Sequence, residues 1–149
     1  MYFKRFDTNN DIKYETLLIE RGIILVPIKI YKTFDVVKKL FWIRSKVKNY
    51  QPNLVQSWQY YGNFLSIALA GLDIPIVWNL RRSDTTLQTL NRKLWIINKI
   101  CAFLSFYLPT QILACGQTVK TAHEAIGYDN RKMKIIHNGL SRVDCKYNE

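Results

Sequence analysis

The sequence lacks the cysteine patterns of secreted and zinc-binding domains. Its three cysteines, Cys101, Cys115 and Cys145, are odd in number and none belongs to a Cys-x-x-Cys pair. We therefore expect buried thiols in a reducing compartment, without a disulfide framework or a zinc site. No apolar segment approaches the ~20 residues of a membrane-spanning helix, since residues 94–108 are interrupted by Asn98 and Lys99. With no signal-peptide core at the N-terminus, we expect a cytoplasmic protein, peripheral at the inner face of a membrane as one option.

Glycine-rich phosphate loops are also missing. Neither Gly-x-Gly-x-x-Gly nor a Walker loop occurs in the chain, which excludes the phosphate sites that those motifs build. The two histidines and the scattered carboxylates show no metal-ligand spacing. We therefore expect neither a metal site nor a bound cofactor.

Acidic residues are few. Eleven Asp and Glu residues stand against 22 Lys and Arg residues, so the net charge is +11. That excess favours a negatively charged partner, such as an anionic membrane surface, a phosphate-bearing small molecule or nucleic acid. We rank nucleic acid below the other two because no recognition-helix or RNP-like motif appears. A basic protein without any polyanionic partner is the alternative.

Apolar, β-branched runs alternate with helical periodicity along most of the chain. The pattern predicts strands at residues 22–30, 54–58, 74–80, 111–115 and 134–137. It also predicts helices at residues 35–49, 63–72 and 117–126, and a long helix that Asp84 or Thr85 caps and Pro109 ends. Connections too long for hairpins favour an α/β fold with a doubly wound, Rossmann-like parallel sheet of about five strands. We expect a polar segment at residues 1–16, this domain at 17–140 and a polar tail at 141–149.

The most informative stretch is residues 74–84, where a buried strand runs into polar and cationic side chains. Ligands bind beyond the carboxyl ends of the strands in open α/β sheets. Four residues at that position are candidates for a binding site: Asn79, Arg81, Arg82 and Asp84. Two arginines can hold a phosphate or carboxylate bidentately, while Asp84 orients one of them or accepts from a sugar hydroxyl. The alternative is that Asp84 only caps the next helix and the arginines are solvated.

Three further features carry weaker signals. His123 lies on the predicted helix at residues 117–126, where a packing or surface role competes with that of a catalytic base. Asn138 and Gly139 follow the last strand, and an Asn-Gly pair is ordinarily a tight turn. Aromatic residues beside lysines suit a membrane interface, with residues 35–49 and 100–107 as the contact elements. Aromatic packing over a thin sheet explains the same residues.

Short motifs follow one another in a specific order along residues 17–140. They are Pro-Ile-Val-Trp-Asn-Leu-Arg-Arg-Ser-Asp at 75–84, Leu-Ser at 104–105, Leu-Pro at 108–109, Ala-Cys-Gly at 114–116, His123, Gly-Tyr-Asp at 127–129 and Lys-Ile-Ile-His-Asn-Gly at 134–139. Each is common alone, but together they resemble the N-terminal, acceptor-side domain of the family 4 glycosyltransferases.

The resemblance implies a GT-B fold, in which two Rossmann-like domains face each other across a cleft. It implies transfer of a sugar from a nucleotide-sugar to a lipid-linked or saccharide acceptor, as in hexosyltransferases that build cell-envelope polysaccharide. It places Asn79, Arg81, Arg82 and Asp84 near the acceptor, and Asn138 and Gly139 at the cleft between the domains.

The sequence also departs from the family pattern. Arg81 and Arg82 occupy a turn that often carries a histidine, Leu140 is followed by Ser141, and the glycine-rich first turn and the donor-binding domain are missing. These departures are typical of a copy truncated at both ends, inactive unless a separate chain supplies the donor domain. The alternative is a non-catalytic remnant or binding module that retains affinity for the acceptor or a membrane surface.

Overall fold

A computed structural model describes residue 16, residues 18–24, residue 26 and residues 35–139 of the chain. The chain divides into two compact units, Met1–Lys39 and Leu40–Glu149. In the first unit, residues 18–20 are helical and end in a turn at Arg21 and Gly22. Most of the predicted strand at residues 22–30, and the polar tail at 141–149, lie outside the described residues.

Four parallel strands form the sheet of the second unit. They are β1 (Val55–Trp58), β2 (Ile76–Leu80), β3 (Gln111–Ala114) and β4 (Met133–Ile135), paired in the order β1-β2-β3-β4. The helices are α1 (Asp35–Tyr50), α2 (Gln59–Leu65), α3 (Arg92–Leu104) and α4 (Gln117–Ala125), with 3₁₀ turns at Ser66–Leu69 and Asn130–Lys132. This confirms the prediction of a parallel α/β sheet, with four strands in the described part.

The strand order places the connecting helices on one face of the sheet. Each strand joins the sheet on the same side of the previous one, and right-handed crossovers then place α2, α3 and α4 together. Ser57, Trp78, Ile112 and Met133 are paired in one row across this face, and all four are buried. The next residue along each strand points to the opposite face, away from these helices.

The row on that other face is partly open. It consists of Trp58, Asn79, Leu113 and Lys134, which pair across the four strands. Asn79 is buried, but Trp58 is 46% exposed and Lys134 is exposed. A parallel sheet is usually covered on both faces, so this open row is the part of the described sheet that can meet a ligand.

The long helix α3 begins later than the sequence predicts. The side chain of Asn91 accepts a hydrogen bond from the Leu94 amide at 2.9 Å, which makes Asn91 the N-cap. Asp84 instead closes a separate turn, where its carboxylate accepts from the Thr86 amide and from the hydroxyls of Thr86 and Thr89. The prediction that Asp84 or Thr85 caps the helix is therefore wrong, because a second capping residue stands closer to the apolar repeat.

His123 links two of the helices inside the core. The ring is fully buried, its Nδ1 lies 2.8 Å from the Val119 carbonyl oxygen, and its Nε2 lies 3.1 Å from the Tyr60 hydroxyl. A carbonyl oxygen only accepts, so Nδ1 carries the proton and the neutral Nε2 accepts from Tyr60. Burial lowers the pKa of His123, against the opposing effect of the Val119 hydrogen bond. Burial also raises the pKa of Tyr60 to about 12, which keeps its hydroxyl a donor.

We expect the His123→Gln variant to lose part of the pH dependence of folding. An unfolded histidine takes up a proton near pH 6.5, whereas the buried ring does so only at lower pH. The contribution of the neutral ring to the free energy of unfolding is therefore complete above that pH. It is lost as the pH falls below it, by up to ~1.4 kcal/mol per pH unit. Urea unfolding at several pH values measures this slope.

The matched control is His137→Gln, which removes an exposed imidazole. An equal loss of slope in both variants would show that the loss is not specific to the buried ring and would contradict the assignment. If His123→Gln does not fold, the same conclusion is tested by NMR titration of the imidazole in the natural chain. A His123 ring that titrates in the folded protein at or above pH 6.5 would then refute it.

Candidate functional site

A groove of about 620 Å³ lies at the carboxyl ends of the strands. Parallel strands end at one edge of a sheet, so the residues that follow β2 and β4 meet there. The lining combines polar and apolar side chains. It consists of Gln56, Trp58, Asn79, Arg81, Leu113, Ile136, His137, Asn138 and Gly139.

Arg81 is held in this groove by two side chains from other segments. Its guanidinium carbon lies 4.3 Å from the centre of the Trp58 ring, within the range of a cation–π contact. Its Nη1 also donates a hydrogen bond to the side-chain oxygen of Asn138. The end of β1, the end of β2 and the segment after β4 therefore converge on one guanidinium.

The arrangement suits an anionic or hydroxyl-rich ligand. Arg81 is exposed, and a guanidinium retains several donors after one of them is used. The exposed part of the Trp58 ring offers an apolar surface, and Asn79 and Asn138 offer amide groups beside it. The groove can therefore bind a phosphate or carboxylate together with a sugar ring, although no carboxylate lines it in the described part of the chain.

The predicted site residues fall into three places. Asn79, Arg81, Asn138 and Gly139 line the groove, whereas Arg82 and Asp84 are exposed in the loop after β2 and do not line it. Hydrogen bonds from Thr89 and Thr86 lower the pKa of Asp84 and occupy one of its oxygens. His123 lies in the core, away from the groove lining.

Sequence reasoning missed Trp58 and Gln56 as groove residues. Both lie on β1, at positions whose side chains point to the open face of the sheet. Alternation along the strand could have indicated this, because Ser57 between them is buried. Alternation within one strand does not predict that Trp58 pairs with Asn79. That pairing brings Arg81 over the Trp58 ring.

A second concavity, of about 430 Å³, lies at the opposite edge of the sheet. Its lining is mainly aliphatic and belongs to the segment before β2 and the end of α3, with Asp73 as its acidic member. The cationic and amide groups gather at the carboxyl edge instead, so we take that groove as the candidate site. Among the residues that the structure describes, no three His, Cys, Asp or Glu side chains gather in a way that could hold a metal ion.

The protein-family model described as Glycosyltransferase Family 4 matches residues 7–142. Among solved structures, Anabaena HepE in complex with UDP-glucose is similar, with a TM-score of 0.68 at 16% identity. That match covers 86% of this chain and 34% of HepE. HepE in complex with UDP gives a TM-score of 0.64 at 15% identity, with the same coverage.

The UDP-N-acetylglucosamine 2-epimerase from Rickettsia bellii is also similar, with a TM-score of 0.60 at 12% identity. It is matched over 88% of this chain and 35% of its own. The chain thus spans about a third of the length of these structures, and at such identities the likeness shows the fold. No curated protein sequence matches the chain.

We expect Arg81 to dominate anion binding in the groove. Inorganic pyrophosphate should change the fluorescence of the exposed Trp58 as it engages the guanidinium. Hydrogen bonds to charged groups contribute ~1.5–3 kcal/mol, so Arg81→Met should weaken binding by about tenfold or more. Titration of the natural chain and the variant with pyrophosphate measures the difference.

Arg82→Met provides the matched control, because it removes the same charge one residue away and outside the groove lining. An equal loss of affinity in both variants would show that net charge, and not the position of Arg81, governs binding. Trp58→Phe should abolish the fluorescence change. If the fluorescence change persisted in Trp58→Phe, another tryptophan would be its source.

Proposed function

Because this chain belongs to glycosyltransferase family 4, we propose that it forms the acceptor-binding half of a sugar transferase with a GT-B fold. The observation that carries the proposal is the groove at the carboxyl edge, where Trp58 and Asn138 hold Arg81. The Rossmann-like sheet similar to those of HepE and the epimerase supports it. Asn79, Arg81, Asn138 and Gly139 then form the acceptor-side wall of the cleft.

The groove suits an acceptor that joins a sugar to an anionic group. The apolar face of a sugar ring packs on the exposed part of Trp58, and Arg81 binds a phosphate or carboxylate. A saccharide with an acidic sugar and a lipid-linked sugar phosphate both have this chemistry. Arg82 and Asp84, which follow outside the lining, remain predictions for contacts with a longer acceptor.

The donor in this proposal is a nucleotide-sugar bound by a facing domain. Crystal structures of HepE contain UDP-glucose and UDP, and this chain covers 34% of HepE. Transfer therefore needs a second domain, from the same or a separate polypeptide. Assembly of cell-envelope polysaccharide at the cytoplasmic face of a membrane is the setting in which such an acceptor and donor meet.

One observation favours a second candidate function, that of a non-catalytic binding module. No carboxylate lines the groove in the described part of the chain, and His137 is the single imidazole in that lining. Arginine, tryptophan and amide groups bind a ligand without moving its protons. The chain could then retain acceptor affinity while lacking any transfer activity.

Release of the nucleotide from a panel of nucleotide-sugars distinguishes the two functions. We expect the chain alone to release none, and the chain mixed with a polypeptide carrying a donor-binding domain of this family to release it when acceptor is present. Arg81→Met should lower kcat/KM by about tenfold, as for the loss of one charge-assisted hydrogen bond. Lys120→Met, on the outer side of α4, should leave the rate unchanged.

Acceptor binding without turnover in any mixture would support the binding module and refute the transferase. Nucleotide release by the chain alone would contradict the division of labour between two domains. Failure of every saccharide and lipid-linked acceptor to bind would remove both functions.

A further inference from the structure

The outward side of α3 and the turn after it is apolar where a surface helix is usually polar. Buried residues on the other side of the helix include Asn98, Cys101 and Ala102. The exposed positions follow a spacing of three and four, which forms one continuous outer stripe. This stripe consists of Arg92, Lys93, Ile96, Lys99, Ile100, Phe103, Phe106 and Tyr107.

Large side chains in the stripe are well exposed. Phe103 is 65% exposed and Tyr107 is 75% exposed, with their ring centres 5.6 Å apart. Ile96, Ile100 and Phe106 are between 39% and 45% exposed. Contiguous exposed apolar surface on a protein marks a site of interaction with another protein or a membrane.

The charges of the stripe have a single sign. Arg92, Lys93 and Lys99 are its only charged members, and no acidic residue occurs between Asp84 and Glu124 in the sequence. Helices that lie in the interfacial region of a bilayer combine such cations with aromatic and aliphatic side chains. Among the described residues, no helix is long and apolar enough to cross the bilayer.

We propose that the outer stripe of α3 binds the surface of an anionic membrane. The rings of Phe103, Phe106 and Tyr107 enter the boundary between headgroups and acyl chains, and Lys93 and Lys99 contact lipid phosphates. The proposal adds a surface to the candidate function and does not rest on it, because the stripe is formed by residues other than those that line the groove.

Charge complementarity favours a membrane over a second copy of the chain. Two stripes packed against each other would leave their lysines and arginines without an acidic partner, because neither stripe contains an acidic residue. Anionic lipid offsets the same charges, because each Lys or Arg near the surface is attracted to the lipid phosphates. The mixture of cations and aromatics therefore fits lipid better than it fits itself.

Sedimentation of the full chain with vesicles tests the proposal. We expect binding to vesicles of phosphatidylcholine mixed with phosphatidylglycerol, and at least tenfold weaker binding to phosphatidylcholine alone. Binding should also weaken when the ionic strength rises from about 0.1 M to about 1 M, since the screening length falls from about 10 Å to about 3 Å. Equal binding to both kinds of vesicle would overturn the proposal.

Variants then locate the binding surface. Phe103→Ser combined with Tyr107→Ser should weaken binding by about tenfold or more, because two rings no longer leave water. Tyr61→Ser removes a ring of 49% exposure on α2, outside the stripe, and should have little effect. Thermal unfolding of each variant confirms that these exposed substitutions leave the fold intact.

Charge reversal separates a local surface from general attraction to a basic protein. Lys99→Glu should weaken binding by about fivefold or more, whereas Lys134→Glu, on the open face of the sheet, should do so less. Equal losses in the two variants would show diffuse attraction and overturn the proposal. The proposal would also be overturned if the chain bound no vesicles and formed a dimer that the Phe103→Ser substitution dissociates.

Discussion

The helical layer of this protein depends on the contacts of the buried His123 imidazole. The ring accepts from Tyr60 on α2, while its own N–H bonds to the Val119 carbonyl on α4. Tyr128 packs edge-on against the same ring, at 5.0 Å between ring centres, and its hydroxyl donates to Asn98 on α3. The hydrogen bond between Tyr60 and His123 connects α2 to α4, and that between Tyr128 and Asn98 connects the segment after α4 to α3. All four side chains are buried, where leaving one partner unpaired is costly.

Several family motifs connect parts of the helical layer and do not line the groove. The Ser105 hydroxyl accepts from the Asp129 amide and donates to the Ala102 carbonyl. Asp129 in turn holds Arg131 through both carboxylate oxygens. The Leu-Ser and Gly-Tyr-Asp motifs and His123 therefore fasten the helices and the segment before β4, and the residues of the groove come from the ends of the strands.

The positions of β2 and β3 could be predicted from the sequence because each is a short apolar run with a proline just before it. The start of α3 could not, since Asp84 and Asn91 are both good capping residues and the choice between them depends on Thr86 and Thr89. The fold class followed from the alternation of strands and helices, which is a local property.

The candidate site was only partly predictable. Asn79 lies near the end of a strand that the sequence predicts, and Arg81 follows directly after it. Their position at the carboxyl end of the strand therefore follows from the sequence. The contacts of Arg81 with Trp58 and Asn138 depend on how the strands pair. Trp58 lies 23 positions before Arg81 in the sequence and Asn138 lies 57 positions after it, so no local pattern encodes these contacts. The buried place of His123 likewise depends on Tyr60, 63 residues earlier.

The course of α3 relates its outer stripe to the groove. The helix follows β2 and precedes β3, so it runs antiparallel to the strands, and its cationic start lies at the groove edge while Phe106 and Tyr107 lie at the far edge. A flat surface in contact with the whole stripe would run along the helix side of the sheet. Trp58 and Asn79 line the groove from the opposite face, so the helix layer and the sheet would stand between that surface and Arg81. A substrate anchored in the surface would reach Arg81 only if its free end extended across both layers.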